Sequence, residues 1–381
     1  MTNLGTGAAG NTGTATIWAA GFRTAVLDPY QQVRFNEPRG FADQTVRQVL
    51  HLAGGGEALR VRLTNRYGRT PLTIGAATVA VGDRRAALTF DGAGRYVVPA
   101  GEEVVTDPVD LPVAAGTDLL LSLYLPEKTG LATYSHLPAE VARTVDGNQV
   151  TSPALPRAER VEGRFFLSGV DVLAPRDTAI AVAFGDSWFE GVGTTTSANR
   201  RSVDFLNRRL DRGWVVNQGM AGNRLLRDGA GEHALARFDR DVLSIPALTH
   251  VLVHLGINDI GLPGILGEPP TTADALVEGF GTLADRAHRA GLRILLATIG
   301  PFAGAGPEIG TPEGLAVRRE VNDWIRTTDA VDAVFDVARA VADPHDPDRI
   351  HPALDSGDGI HLNDRGAQVM ADAVDLADLA L

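Results

Sequence analysis

The chain contains no cysteine among its 381 residues. This absence excludes disulfide bonds, a thiolate metal site and a cysteine nucleophile. Long apolar runs are also missing, since none approaches the roughly 18 residues that a membrane-spanning helix needs. Basic runs are missing too, and 35 basic residues stand against 47 acidic ones, for a net charge of −12. This balance argues against nucleic acid as the main partner.

The N-terminus lacks the pattern of a secretory signal, in which a basic segment is followed by an apolar block. Its first ten residues, MTNLGTGAAG, are rich in Gly and Thr. That composition predicts a flexible tail, which we place at residues 1–20. The expected location is the cytoplasm, with export of a trimmed chain as the alternative.

The first half of the remaining chain has a hydrophobic period of two, broken by turn residues. Residues 45–52 and 58–65 alternate between apolar and polar side chains, and Gly, Pro and Asp separate further short apolar runs. Short strands at this spacing are typical of an all-β sandwich or jelly roll. We therefore predict an accessory domain of this kind over residues 21–172.

After Pro175 apolar strands alternate with helical patterns, which predicts a parallel sheet with helices on both faces. We place this second, α/β domain at residues 178–381. The expected strands are 179–185, 214–219, 250–256, 293–299 and 333–337, and the expected helices are 198–211, 232–245, 273–290, 312–327 and 364–380. The glycines and prolines at 261–270 suggest a loop.

Chemically suggestive residues follow the strands of this second domain. Ser187 comes after the first strand, Gly222 after the second and Asn258 after the third. Far downstream, Asp358 and His361 stand three positions apart. Because ligands of open parallel sheets bind beyond the carboxyl ends of the strands, these groups are expected at one edge of the sheet.

Together these residues provide every part of an acyl-transfer site. Ser187 is the candidate nucleophile, His361 the base that takes its proton, and Asp358 the acid that orients the imidazole. The Ser187 and Gly222 backbone N–H groups and the Asn258 amide are candidate oxyanion-hole donors. Each residue alone fits an ordinary turn or helix cap better, and only their order and context favour catalysis.

The motifs around Ser187, Gly222, Asn258 and Asp358-Gly-Ile-His361 resemble those of the SGNH (GDSL-type) hydrolase superfamily. The resemblance covers about residues 178–381 and implies a flavodoxin-like three-layer α/β/α fold. It also implies a serine nucleophile, a Ser-His-Asp triad and an oxyanion hole of Ser, Gly and Asn. The β-rich first half makes the chain similar to two-domain esterases of that superfamily.

The sequence departs from the family pattern at Trp188, which replaces the leucine of Gly-Asp-Ser-Leu. Trp188 is a candidate for shaping the acyl or alcohol pocket. Asn223, which follows the oxyanion glycine, is a second candidate for contact with substrate, and stabilisation of its own loop is an equal alternative. Glu190 either borders the pocket or caps a helix, and His136 is a candidate to face a cleft between the domains.

No cofactor or metal is expected. The segment 343–351 is rich in metal-ligand residue types, but prolines interrupt it without regular ligand spacing, which favours a polar loop. A nucleotide or flavin site is disfavoured, because neither a Gly-x-Gly-x-x-Gly nor a Walker loop is present.

The sequence thus predicts a serine esterase that acts on small-molecule or carbohydrate esters, with short-acyl or O-acetyl esters expected. Within this class a lipase or an acyltransferase stays open, because transfer differs from hydrolysis only in the second acceptor. The alternative from another class is a non-catalytic carbohydrate-binding protein. The oligomeric state stays open.

Overall fold

The computed structural model describes residues 15–379 and residue 381. Among residues 15–175 it contains strands and turns but no helix. The strands of this half are β1 (Thr16–Arg23), β2 (Gln44–His51), β3 (Leu59–Thr64), β4 (Leu72–Ile74), β5 (Ala76–Val81), β6 (Arg84–Ala87), β7 (Tyr96–Val98), β8 (Glu103–Val105), β9 (Asp118–Leu125), β10 (Tyr134–Ser135), β11 (Val141–Asp146), β12 (Glu159–Glu162), β13 (Arg164–Phe165) and β14 (Leu167–Pro175).

These strands pair antiparallel. The larger sheets have the orders β1-β14-β3-β8 and β12-β11-β2-β9-β5-β6, and the smaller ones pair β10 with β13 and β4 with β7. The prediction of a strand-rich first half is confirmed. The assignment to a jelly roll and the domain boundaries stay predictions.

The predicted tail needs correction. Residues 1–14 lie outside the described part of the chain, and strand β1 already begins at Thr16, so the prediction is wrong for residues 16–20. The residues before this strand are rich in Gly and Thr, and that composition led the prediction to extend the tail over the start of β1. The last five residues of β1 are buried.

The second half alternates strands and helices. Its strands are β15 (Ile180–Gly185), β16 (Trp214–Gly219), β17 (Leu248–His254), β18 (Arg293–Ala297), β19 (Ala333–Phe335), β20 (Ala342–Asp343) and β21 (Asp346–Ile350). Its α-helices are α1 (Ser187–Glu190), α2 (Ser202–Asn207), α3 (Ala234–Phe238), α4 (Ile257–Leu266), α5 (Ala273–Arg289), α6 (Pro312–Thr327), α7 (Val337–Val341), α8 (Asp364–Asp372) and α9 (Leu376–Leu379), and a π-helical segment, Asp239–Leu243, extends α3.

The main sheet of this half is parallel and has the order β16-β15-β17-β18-β19. Numbered within the sheet, this is the order 2-1-3-4-5 of flavodoxin-like folds. The order reverses beside β15, so the carboxyl ends of β15, β16 and β17 lie next to one another. That edge is where ligands of such sheets bind.

Helix boundaries show what local signals can and cannot specify. Helix α6 spans the predicted residues 312–327, because Thr311 accepts a hydrogen bond from the Gly314 N–H and Pro312 occupies the first turn. By contrast, the loop expected at 261–270 is largely helix α4. Its Gly261 serves packing, because a Cβ there would lie 2.7 Å from Ile309, rather than forming a turn.

The two halves are in contact through β1 and β16. The Nε1–H of Trp214 donates to the Ala20 carbonyl at 2.6 Å. The Trp214 ring also packs on Gly54, where a Cβ would lie 2.1 Å from the ring. No helix in the described part of the chain is long and apolar enough to cross a membrane.

Candidate active site

Three chain segments converge at the carboxyl ends of β15, β16 and β17. Ser187 begins α1 directly after β15, and the Met220 N–H, after β16, donates to the Gly185 carbonyl at 3.0 Å. The Asn258 side chain, after β17, donates from Nδ2 to the Asn223 carbonyl at 3.0 Å. The structure therefore brings the Ser187, Gly222 and Asn258 segments to one edge of the sheet, as the sequence predicts.

Ser187 and His361 are far apart in sequence but hydrogen-bonded in space. The distance from Ser187 Oγ to His361 Nε2 is 2.9 Å, and His361 Nδ1 lies 2.6 Å from Asp358 Oδ2. Ser187 is only 6 % exposed, whereas the Asp358 side chain is 47 % exposed. The serine thus lies at the floor of the site, and the chain of hydrogen bonds leads outward to solvent.

The surroundings of Asp358 favour its ionised form. Partial burial alone would raise its pKa, but the hydrogen bond and charge of His361 outweigh it. The backbone N–H groups of Ile360 and His361 also donate to Oδ1, at 3.0 and 2.8 Å. The pKa of Asp358 is therefore held well below the ordinary carboxyl value. An ionised Asp358 accepts a hydrogen bond from the His361 Nδ1–H, which leaves Nε2 without a proton and able to take the one of Ser187.

The candidate oxyanion donors are positioned by their neighbours. The side-chain amide of an asparagine carries two N–H groups. In Asn258, one N–H donates to the Asn223 carbonyl, and this bond also fixes the direction of the second N–H. Gly222 has φ +75°, a conformation that favours glycine. Both residues follow strands whose carboxyl ends lie beside that of β15, the strand before Ser187.

Glu190 fastens the loop before Gly222. Its carboxylate is 4 % exposed and accepts hydrogen bonds from the Ala221 N–H, the Ser135 hydroxyl and the Leu137 N–H. The Nε2–H of the buried His136 donates to the Ala221 carbonyl at 3.1 Å. Residues of the β-rich half thus hold both backbone groups of Ala221, directly or through Glu190.

His136 is suited to this contact as a neutral donor. Burial lowers its pKa, and the Glu190 carboxylate nearby opposes this effect only in part. His136 contacts the other half through its bond to Ala221, but its side chain is fully buried and does not line an open cleft.

Arg237 links the same strand ends from behind and was not anticipated from the sequence. The side chain is fully buried and donates to the carbonyls of Gly185 and Gln218 and to Oδ1 of Asn223. Asp241 balances its charge at 3.2 Å. In the sequence Arg237 is one polar residue in an amphipathic pattern, so only the tertiary structure reveals this role.

Asn223 and Trp188 are both buried. The Asn223 amide donates to the Ala230 and Glu232 carbonyls, so its side chain is used within the protein, which favours the loop-stabilising alternative. Trp188 is 3 % exposed, stacks on His254 and donates from Nε1 to the Ile360 carbonyl at 2.9 Å. This position suits support of the Asp358–His361 segment better than contact with substrate.

The segment rich in metal-ligand residue types forms the hairpin of β20 and β21. Its Asp348 pairs with Arg318 and Arg319. No group of three or more His, Cys, Asp or Glu side chains that could hold a metal occurs within the described residues.

The second half of the chain resembles known proteins. Residues 183–369 match the model of the GDSL-like Lipase/Acylhydrolase family. No curated protein matches the chain.

Among solved structures, a GDSL-like lipase from Bacteroides thetaiotaomicron is 16 % identical, with 52 % of this chain and 87 % of that chain covered, at a TM-score of 0.40. A carbohydrate acetylesterase from Sinorhizobium meliloti is 17 % identical, with 51 % and 96 % covered, at a TM-score of 0.41. An acetyl xylan esterase is 21 % identical, with 51 % and 96 % covered, at a TM-score of 0.40. By the family match, residues 183–369 form a hydrolase domain of the GDSL-like lipase/acylhydrolase family.

Proposed function

We propose that the chain is a serine esterase that hydrolyses short-acyl esters, including O-acetyl esters of carbohydrates, through an acyl-enzyme on Ser187. The observation that carries this proposal is the continuous hydrogen-bonded series Ser187 Oγ, His361 Nε2, His361 Nδ1 and Asp358 Oδ2, with distances of 2.9 and 2.6 Å. Both distances lie in the range expected for a nucleophile, its base and the group that orients the base.

In the first half of the reaction, Ser187 Oγ attacks the ester carbonyl carbon while His361 takes the hydroxyl proton. The carbonyl oxygen becomes an oxyanion, which the Ser187 and Gly222 N–H groups and the Asn258 amide stabilise. When the tetrahedral intermediate collapses, the bond to the alcohol oxygen breaks and His361 gives its proton to the leaving alcohol.

In the second half, His361 takes a proton from water, and the resulting hydroxide attacks the acyl carbon. Collapse breaks the bond to Ser187 Oγ, which regains the proton from His361, and the carboxylic acid is released. An alcohol in place of water would give acyl transfer, so the same site supports the acyltransferase alternative.

The test compares wild type with Ser187→Ala on p-nitrophenyl esters from acetate to palmitate. We expect the variant to lose more than about 1,000-fold in kcat, because the nucleophile is gone. Activity of the wild type should be highest at acetate or butyrate, whereas a maximum at palmitate would assign the chain as a lipase.

Ser244→Ala is the matched control, because Ser244 is an exposed serine of the same half that bonds only within its own turn. It should retain wild-type rates. Near-normal activity of Ser187→Ala would contradict the mechanism. Absence of serine-dependent hydrolysis on every ester, together with no fluorophosphonate labelling of Ser187, would favour the carbohydrate-binding alternative.

A further inference from the structure

Phe35 is a large apolar side chain of the β-rich half that is 48 % exposed. It lies in the connection between β1 (Thr16–Arg23) and β2 (Gln44–His51). A half-exposed phenyl ring forgoes part of the free energy that full burial would provide. The ring lies next to Gly222, a candidate oxyanion donor, so a role of Phe35 in the site would account for its exposure.

The ring of Phe35 packs directly against Gly222. A Cβ at residue 222 would lie 2.4 Å from Cε2 and 2.8 Å from Cζ of Phe35, distances at which atoms overlap. Glycine at 222 is thus required for its positive φ and also for the room that the ring occupies. Gly222 is therefore covered on one side by an aromatic group from the other half of the chain.

Several contacts fix Phe35 in this place. Its ring meets His136 edge to face, with centroids 5.5 Å apart, and the neighbouring Asn36 donates from Nδ2 to the His136 carbonyl at 2.7 Å. His136 in turn donates to the Ala221 carbonyl. Four residues earlier, Gln31 accepts a hydrogen bond from the Gly231 N–H at 2.6 Å. The segment that carries Phe35 is thus fastened to the loop that carries Gly222.

We propose that Phe35 is a specificity-determining residue, whose ring forms an apolar wall beside the oxyanion hole and limits the length of the acyl group. The proposal rests on the esterase function proposed above. The ester carbonyl oxygen that reaches Gly222 is two bonds from the first carbon of the acyl chain. A wall at Gly222 therefore lies close to the first carbons of that chain.

The chemistry of the ring favours the acyl side over the alcohol side. A hydrocarbon chain gains from contact with a phenyl ring, whereas a hydroxyl-rich alcohol needs hydrogen-bond partners, which the ring lacks. The methyl group of an acetyl ester has room beside such a wall, whereas a longer acyl chain collides with it. Because Phe35 is tied through His136 and Asn36, the ring does not simply move aside.

The test is the ratio of kcat/KM for p-nitrophenyl hexanoate to that for the acetate. We expect Phe35→Ala to raise this ratio about tenfold or more, because a few methylene groups in an apolar pocket change discrimination by this order. Phe35→Leu should raise it less, and Phe35→Trp should lower it. Since Phe35 is half exposed, its replacement empties no core space, and thermal unfolding checks that each variant folds.

Val97→Ala is the matched control, because Val97 is also a half-exposed apolar side chain of the β-rich half, at 46 %. Its ratio should equal that of wild type. An unchanged ratio in Phe35→Ala would overturn the proposal, and so would a change seen only when the alcohol of acetate esters is varied. If Ser187→Ala is inactive while the Phe35 ratio is unchanged, this inference fails and the esterase function stands.

Discussion

Asp259 is a carboxyl group only 1 % exposed, next to the proposed oxyanion donor Asn258. Its oxygens accept hydrogen bonds from the Leu225 and Leu226 N–H groups at 2.7 and 3.0 Å. Burial raises the pKa of Asp259 to about 6, although these two bonds and Arg224 oppose the rise. This residue therefore links protonation to the loop that follows Gly222.

The sign of the stability effect follows from the raised pKa. The folded state holds the Asp259 proton more tightly than the unfolded state, whose carboxyl pKa is about 3.9. The stabilising contribution is full below about pH 4 and is lost as pH rises toward about 6, a change of about 2–3 kcal/mol in the free energy of unfolding.

Asp259→Asn is expected to remove this part of the pH dependence, because asparagine does not titrate. Urea unfolding between pH 4 and 7 measures the difference between variant and wild type. At about pH 4, where wild type has the full contribution of Asp259, the variant should be less stable than wild type by about 1–3 kcal/mol. The reason is that the NH₂ group of the asparagine faces a backbone N–H that has lost its acceptor. A difference between the two proteins that does not vary with pH would contradict the raised pKa.

At the scale of an element, the loop between β16 (Trp214–Gly219) and Gly222 depends on Glu190 at the end of α1 (Ser187–Glu190). One carboxylate joins the Ala221 N–H to Ser135 and Leu137 of the other half. Glu190 touches no reacting atom in the proposed mechanism, so it is a positioning residue for the oxyanion loop.

We expect Glu190→Gln to lower kcat about 10- to 100-fold with little change in KM. A glutamine presents one oxygen and one NH₂ group, so either Ala221 or the Ser135–Leu137 pair loses its acceptor and the loop shifts. A misplaced oxyanion donor affects the transition state more than the bound ester, and removal of one donor outright costs about 100- to 1,000-fold.

Steady-state kinetics on p-nitrophenyl acetate measures this separation of kcat from KM. Glu278→Gln, at an exposed position of α5 (Ala273–Arg289), is the control and should behave as wild type. A variant of Glu190 that is only less stable, with unchanged kcat at a temperature where it is folded, would show that the contact is structural alone.

At the scale of the whole molecule, Trp214 and Gly54 join the two halves. The Trp214 ring occupies the space that a side chain at residue 54 would need, and its Nε1–H donates to the Ala20 carbonyl. Trp214 begins β16 and pairs with Ile180, the first residue of β15, whose carboxyl end leads to Ser187. We therefore expect the free energy of unfolding of each half to depend on this contact.

Gly54→Ala is expected to destabilise the protein by about 1–3 kcal/mol, because the added methyl group overlaps the indole ring and forces the halves apart. Thermal and urea unfolding measure the loss. Gly281→Ala is the control: it lies in α5 with open space around it, and removal of a helical glycine should stabilise by about 0.5–1 kcal/mol. Equal stability of Gly54→Ala and wild type would show that the interface yields without cost.

The order of strands and helices in the second half was readable because local signals agree with the tertiary structure there. Strand β16 and helix α6 (Pro312–Thr327) have the predicted bounds, since apolar periodicity and a Thr-Pro cap specify them within the segment. Helix α4 (Ile257–Leu266) was missed, because its two glycines and its proline are typical of a loop. In the structure, Gly261 instead packs against Ile309.

By itself the sequence determined the parallel sheet, the strand-rich first half and the candidates Ser187, Gly222, Asn258, Asp358 and His361, because motif order and strand ends are properties of the chain. Only the tertiary structure decided which side chains surround them. Glu190, Arg237 and Phe35 act through contacts with residues distant in sequence, and no periodicity encodes such pairs. The contribution of the β-rich half to the site follows from packing between the halves, which no local pattern records.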